Sequence, residues 1–193
     1  MQYRSYFHLF SGMAMLELGN LASALAPFNV SAVSVGLGAN SQESGLVVTL
    51  ELFFAAISSL YFGTSQFKGR NLGLIGSLMV MICYYLCSVA TDVNQITIIK
   101  AFSGLGCGML IASGHSILAS SQDPNRTYAV FTLFSSIMAA LLIYISSSWI
   151  EDGGHQSYFF NFIYIYLALT LFFFLSKQTG HKYIDQIKQS IDK

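Results

Sequence analysis

Glu17, Glu51 and Lys100 each stand inside a long apolar stretch of the chain. A charge held in hydrocarbon costs about 2.5–3.5 kcal/mol on insertion scales, so it is kept for a partner, a water-filled cavity, or handling a proton or solute. Glu17 lies about eleven residues inside the first stretch, ~16 Å along a helix. Asn20 falls one turn further on the same face. Pro27 interrupts that helix and frees a backbone carbonyl to line a cavity. The alternative is a helix that starts later, leaving Glu17 nearer the interface. Glu51 and Lys100 sit at similar depth, within ~5 Å, in the second and fourth stretches. Either Lys100 pairs with Glu51 or Glu17, or Glu51 and Lys100 reach the interface separately. His115 is either a proton relay or an interfacial hydrogen-bonding residue; His8 and His155 read as interfacial.

The remaining reactive side chains point elsewhere. Cys83 and Cys87 are one helical turn apart, and Cys107 lies in the next stretch, with no neighbouring His or acid to complete a metal site. They read as buried apolar groups, and neither metal nor cofactor is expected. The chain shows no paired-His motif, no nucleophile–base spacing and no phosphate-binding loop, so it is not read as an enzyme.

The elements that must position these residues are six apolar stretches, at 6–35, 45–66, 71–90, 95–119, 127–150 and 157–176. Each reaches the ~20 residues that cross a bilayer as a helix. Hydrophobic residues are 54% of the 193 and charged residues 9%, against ~25% charged in a usual soluble domain. The bilayer is therefore the expected partner, and zero net charge argues against nucleic acid. The first stretch exceeds a secretory h-region and reads as an uncleaved signal anchor. Arg4, Lys68, Arg70, Arg126, Lys177, Lys182, Lys188 and Lys193 fall on one side of the membrane, while Glu43, Asp92, Glu151 and Asp152 mark the other. The positive-inside rule puts both termini in the cytoplasm of a multi-pass plasma-membrane protein, the inner membrane in a bacterium. Loops are short, so function must lie within the membrane. Gly104 and Gly108 form a small-xxx-small pattern that, with Gly106, admits a close helix neighbour.

These features together resemble the amino-terminal half of a major facilitator superfamily transporter. The stretch Gly63-Thr64-Ser65-Gln66-Phe67-Lys68-Gly69-Arg70-Asn71 is similar to the family's loop after its second span. Gly69 and Arg70 match; Gln66 and Phe67 replace the usual Asp and Arg, and Gly63 is one place out of register. Lys100-Ala101-Phe102-Ser103-Gly104-Leu105-Gly106 is similar to the fourth-span Arg-x-x-x-Gly-x-Gly, with a lysine for the arginine. Gly45–Leu52 and Asp123-Pro124-Asn125-Arg126 also look like family sequence. The Gly-Pro-rich fifth-span pattern of antiporters has no counterpart in Tyr128–Ile150.

The resemblance implies an all-α fold of six transmembrane helices over 1–176, built as two inverted three-helix repeats. Residues 177–193 would begin a cytoplasmic linker. It further implies secondary transport of a small organic solute by alternating access, with or without a coupled proton. Glu17, Asn20, Glu51 and Lys100 would bind solute or proton, and Gly63, Gln66, Lys68, Gly69 and Arg70 would form a gating loop. Such transporters use two six-helix halves, so the expected partner is a second half or another copy. The rival expectation is a non-transporting membrane protein: a degenerate half-transporter or an interaction subunit.

Overall fold

A chain this apolar can span lipid only if its backbone groups bond to one another, and every element described is a helix. The computed structural model describes residues 2–65 and 69–175. Gln66, Lys68 and the 177–193 tail lie outside these residues. In chain order the elements are α1 (Gln2–Ala24), α2 (Ala26–Leu37), α3 (Ser41–Thr64), α4 (Arg70–Val89), α5 (Val93–Ala119) and α6 (Pro124–Leu175). Among the described residues, four helices are long and apolar enough to cross a membrane, or five with α1 and α2 taken as one bent span.

Local chemistry sets the boundaries. α1 and α2 meet at Leu25 at an angle of 55°. Pro27 stands in the first turn of α2, where its missing N–H is tolerated. Gly38 closes α2 with φ +67°, a left-handed cap that glycine adopts without strain. Asn40 then opens α3 with a reciprocal cap: its side chain accepts from the N–H groups of Gln42 and Glu43, and Glu43 accepts from Asn40 N–H. Asp92 caps α5 through the Asn94 N–H at 3.1 Å.

α6 is two arms rather than one rod. Gly153 (φ −164°, ψ 23°) and Gly154 (φ 58°, ψ −139°) leave helical geometry within it. The Trp149 and Phe162 rings stand 5.4 Å apart, edge to face. Thirteen residues along a continuous helix would separate them by ~20 Å, so the chain turns back on itself at the glycine pair.

α5 is the central post. Its glycines receive backbone from different neighbours: a Cβ at Gly108 would stand 2.5 Å from the Ala55 carbonyl oxygen of α3, one at Gly106 would stand 2.8 Å from the Gly76 oxygen of α4, and one at Gly114 would meet Leu16 of α1. Gly104 touches the Glu51 backbone in the same way. Hydroxyls tie the posts together. Ser58 donates to the Leu105 carbonyl at 2.7 Å, Tyr166 to the Leu18 carbonyl at 2.8 Å, and Ser77 pairs with Thr170. Large apolar side chains such as Leu60 and Phe53 point outward while serines lie within. That distribution suits a bundle whose surroundings are as apolar as its interior.

Gly108→Val should force α3 from α5 and destabilise the bundle by about 1–3 kcal/mol, as overpacking does. Gly63→Ala meets nothing within 4 Å and should leave thermal unfolding in detergent unchanged or slightly raised.

Candidate functional site

The polar residues inside the bundle form two separate sites. The first is an ion pair sealed from solvent. The Lys100 ammonium donates to both Glu51 carboxylate oxygens at 3.0 Å, and both side chains are 0% exposed. Ser103, on α5 one turn from Lys100, donates to Glu51 Oε1 at 2.9 Å. The ammonium also sits 4.3 Å from the ring centre of Tyr84 and 4.8 Å from that of Phe159. Aromatic faces are negative and stabilise a desolvated cation. The missing side chain at Gly104 is what brings the Glu51 backbone against α5, so that Lys100, one turn away, reaches the carboxylate.

Of the partners open to Lys100, the structure selects Glu51. The three thiols are buried nearby and unbonded to one another. Tyr84, Tyr158, Phe159, Phe162 and Tyr166 form a continuous aromatic cluster around the pair.

Glu17 is the second site. It is 0% exposed, and neither carboxylate oxygen has a hydrogen-bond partner at normal geometry, although the Ser135 hydroxyl of α6 lies beside it. Leu16 packs on Gly114, and Gly19 on Cys107 and Ile111. Glu17 therefore sits about ten or more residues along α5 from Lys100, roughly 15–20 Å away, beyond reach of the ion pair. Asn20 is half-buried one turn on, and its carbonyl accepts from Ser23 Oγ at 2.8 Å. Beyond it lies the α1–α2 break, where buried Asn29 donates to the Ala22 carbonyl at 3.4 Å.

The other expected positions spread out. Gly63 is exposed in the last turn of α3, Gly69 precedes α4 with φ +92°, and Arg70 opens α4. His115 is exposed and bonds to the Tyr128 hydroxyl at 2.9 Å. His155 is 3% exposed, and its Nε2 donates to the carbonyl of Ala90 at the end of α4 at 2.9 Å. The glycine turn before it buries the ring against Gly36 of α2. Ser103 was legible in principle, on Lys100's own helix face. Tyr84, Phe159 and Ser135 carried no such signal, because they arrive from other helices.

Similar proteins give this geometry a context. The chain is 24% identical over 177 residues to the multidrug export protein EmrB of Haemophilus influenzae, covering 90% of this chain and 34% of that protein. It is 29% identical over 163 residues to the multidrug resistance protein MdtG of Salmonella arizonae, covering 80% of this chain and 40% of that protein. It is 28% identical to MdtG of Citrobacter koseri over the same shares. The chain thus spans 34–40% of the length of these curated relatives. At modest identity and over most of its length it is similar to major facilitator superfamily transporters, which are not enzymes. No family model matches the chain, and no solved structure matches it.

Removing one partner of a buried ion pair leaves an uncompensated charge at about 3–5 kcal/mol, whereas replacing both with apolar residues of similar volume is often near neutral. Lys100→Met should therefore destabilise strongly, and Glu51→Met with Lys100→Met should recover most of the loss. Thermal unfolding of the single and double variants in one detergent checks this.

Proposed function

We propose that this chain forms the amino-terminal half of a secondary transporter that moves a small organic solute across a membrane by alternating access. The observation that carries the reading is Glu17, a buried carboxylate with no ion-pair partner among the described residues. Such a group in an apolar span needs a compensating charge, a proton or a bound solute. Glu51 is occupied by Lys100, which leaves Glu17 as the acid free to exchange a proton or meet a cationic group. Asn20, one turn away, would share that site. The Glu51–Lys100 pair would hold α3 and α5 together as a rigid unit while the halves rock.

The relatives' names support a transport role and suggest varied organic solutes, moved outward. Six crossings follow if the bent α1–α2 pair is one span and each arm of α6 is another. Residues before and after α5's start would then form inverted three-helix repeats, with cytoplasmic termini and an inner-membrane location. The loop from Gly63 through Gln66, Lys68 and Gly69 to Arg70 would gate the inner side. The matched share of the relatives supports a second six-helix half, or a second copy, as partner around a central cavity.

Glu17→Gln keeps the shape and removes the proton site. In proteoliposomes holding the chain with its other half, it should abolish the pH dependence of drug-cation flux, while the Glu51→Met/Lys100→Met double variant retains it. Unaltered pH dependence in Glu17→Gln removes Glu17 from the mechanism. No flux from any pairing of halves favours a non-transporting subunit.

A further inference from the structure

We propose that His155 is a proton-operated latch: its neutral ring holds α2 against the turn of α6, and its protonation lets α2 swing about the break at Leu25. The ring sits where three elements meet. Its Nε2 donates to the carbonyl of Ala90, the residue that ends α4, at 2.9 Å. That bond needs the proton on Nε2, so in the neutral ring Nδ1 carries only a lone pair. Nδ1 is buried and has no hydrogen-bond partner among the described residues. What faces it is bare backbone: a Cβ added at Gly36 would collide with Nδ1, and one at Gly154 would stand 2.9 Å from the Gly36 Cα. The end of α2 is thus seated directly on the imidazole and on the glycine turn.

Protonation changes what this seat can hold. A second N–H appears at Nδ1, a charged donor that faces no acceptor, and a buried charged group left unpaired is costly. The surroundings offer no relief. α2 carries no titratable residue. Glu43 and Asp92 are engaged in capping α3 and α5, and Lys100 is held by Glu51. Cys87 lies one turn before Ala90 on α4; on α6, Glu151 and Asp152 are exposed and Tyr158 is buried. None of these bonds to Nδ1. The cost is removed when α2 moves away and admits water. α2 is built to move as a unit, because it is a separate helix of twelve residues set at 55° to α1. Asn29 Nδ2 bonds across the break to the Ala22 carbonyl at 3.4 Å, which marks the pivot. Gly36 stands eleven residues beyond Leu25, ~16 Å along the helix, so a small change of angle there opens the seat.

The test follows thiol labelling on the two faces of α2 in the full chain in lipid nanodiscs. Ala32→Cys places a thiol on the buried face and Val35→Cys one on the exposed face. Each is labelled with a water-soluble methanethiosulfonate, the unsubstituted chain giving the background from the native cysteines. Dividing the Ala32→Cys rate by the Val35→Cys rate removes the pH dependence of the reagent chemistry. Between about pH 8 and about pH 5.5, which bracket the ordinary titration of imidazole, this ratio should rise several-fold. Adding His155→Gln, which cannot gain the proton, should make it independent of pH, whereas adding His115→Gln should keep the rise. Gly36→Ala, which unseats the ring by its bulk, should give a high ratio at both values. A ratio that ignores pH in the chain with His155 intact, a rise that survives His155→Gln, or a low ratio in Gly36→Ala would overturn the latch. No solute takes part, so the latch stands or falls apart from the transport reading.

Discussion

Lys100 and Glu51 meet where neither can reach water, and the packing around them follows from that requirement. A lone ammonium or carboxylate at this point would be costly; the two together, with Ser103 and the faces of Tyr84 and Phe159, satisfy each other. The constraint runs in both directions. For the pair to close, α3 must touch α5, which requires Gly104 and Gly108 to lack side chains. For the cation to be enclosed, α4 and the second arm of α6 must deliver Tyr84 and Phe159, which requires the chain to reverse at Gly153 and Gly154.

Glu17 shows the contrasting solution. It occupies the same apolar interior without a countercharge, and its helix breaks two turns further on at Leu25. One acid is used to hold helices and the other is left with bonding capacity unspent. Two environments thus divide the acidic residues into a clamp and a candidate site. The two lie at different levels of α5: the ion pair toward its beginning, and Glu17 packed beyond its middle.

Much of this was legible from residue types and spacing. Counting from the ends of the apolar stretches put Glu51 and Lys100 at one depth, and the pair forms. The glycines after Lys100, Gly104, Gly106 and Gly108, were legible as a close-packing face, and two neighbours, α3 and α4, use them. Other features escaped. Lys100's choice between Glu51 and Glu17 depended on how far apart the acids lie once α1 packs against the middle of α5. The contacts of His155 were not legible, because the turn at Gly154 sets its ring against Gly36 and the Ala90 carbonyl from other helices. The first span breaks at Leu25 rather than at Pro27, because a proline in the first turn of α2 continues the new helix instead of ending the old one.

The amino-acid sequence by itself determined the apolar surroundings, the helices and the matching level of Glu51 and Lys100. Hydrocarbon-length apolar runs leave the backbone no other way to bond, and helical rise converts position into depth. Tertiary structure alone decided which side chains meet. In a soluble protein the apolar stripe of a helix tells which face turns inward. Here lipid is as apolar as the core, so Leu60 faces out and Ser103 faces in, and no periodicity of hydrophobic residues records the rotation of a helix about its axis. That rotation comes from close contacts at Gly104, Gly106 and Gly108 and from buried hydrogen bonds. It is those contacts that turned two charges at matching depth into a closed pair and left Glu17 alone.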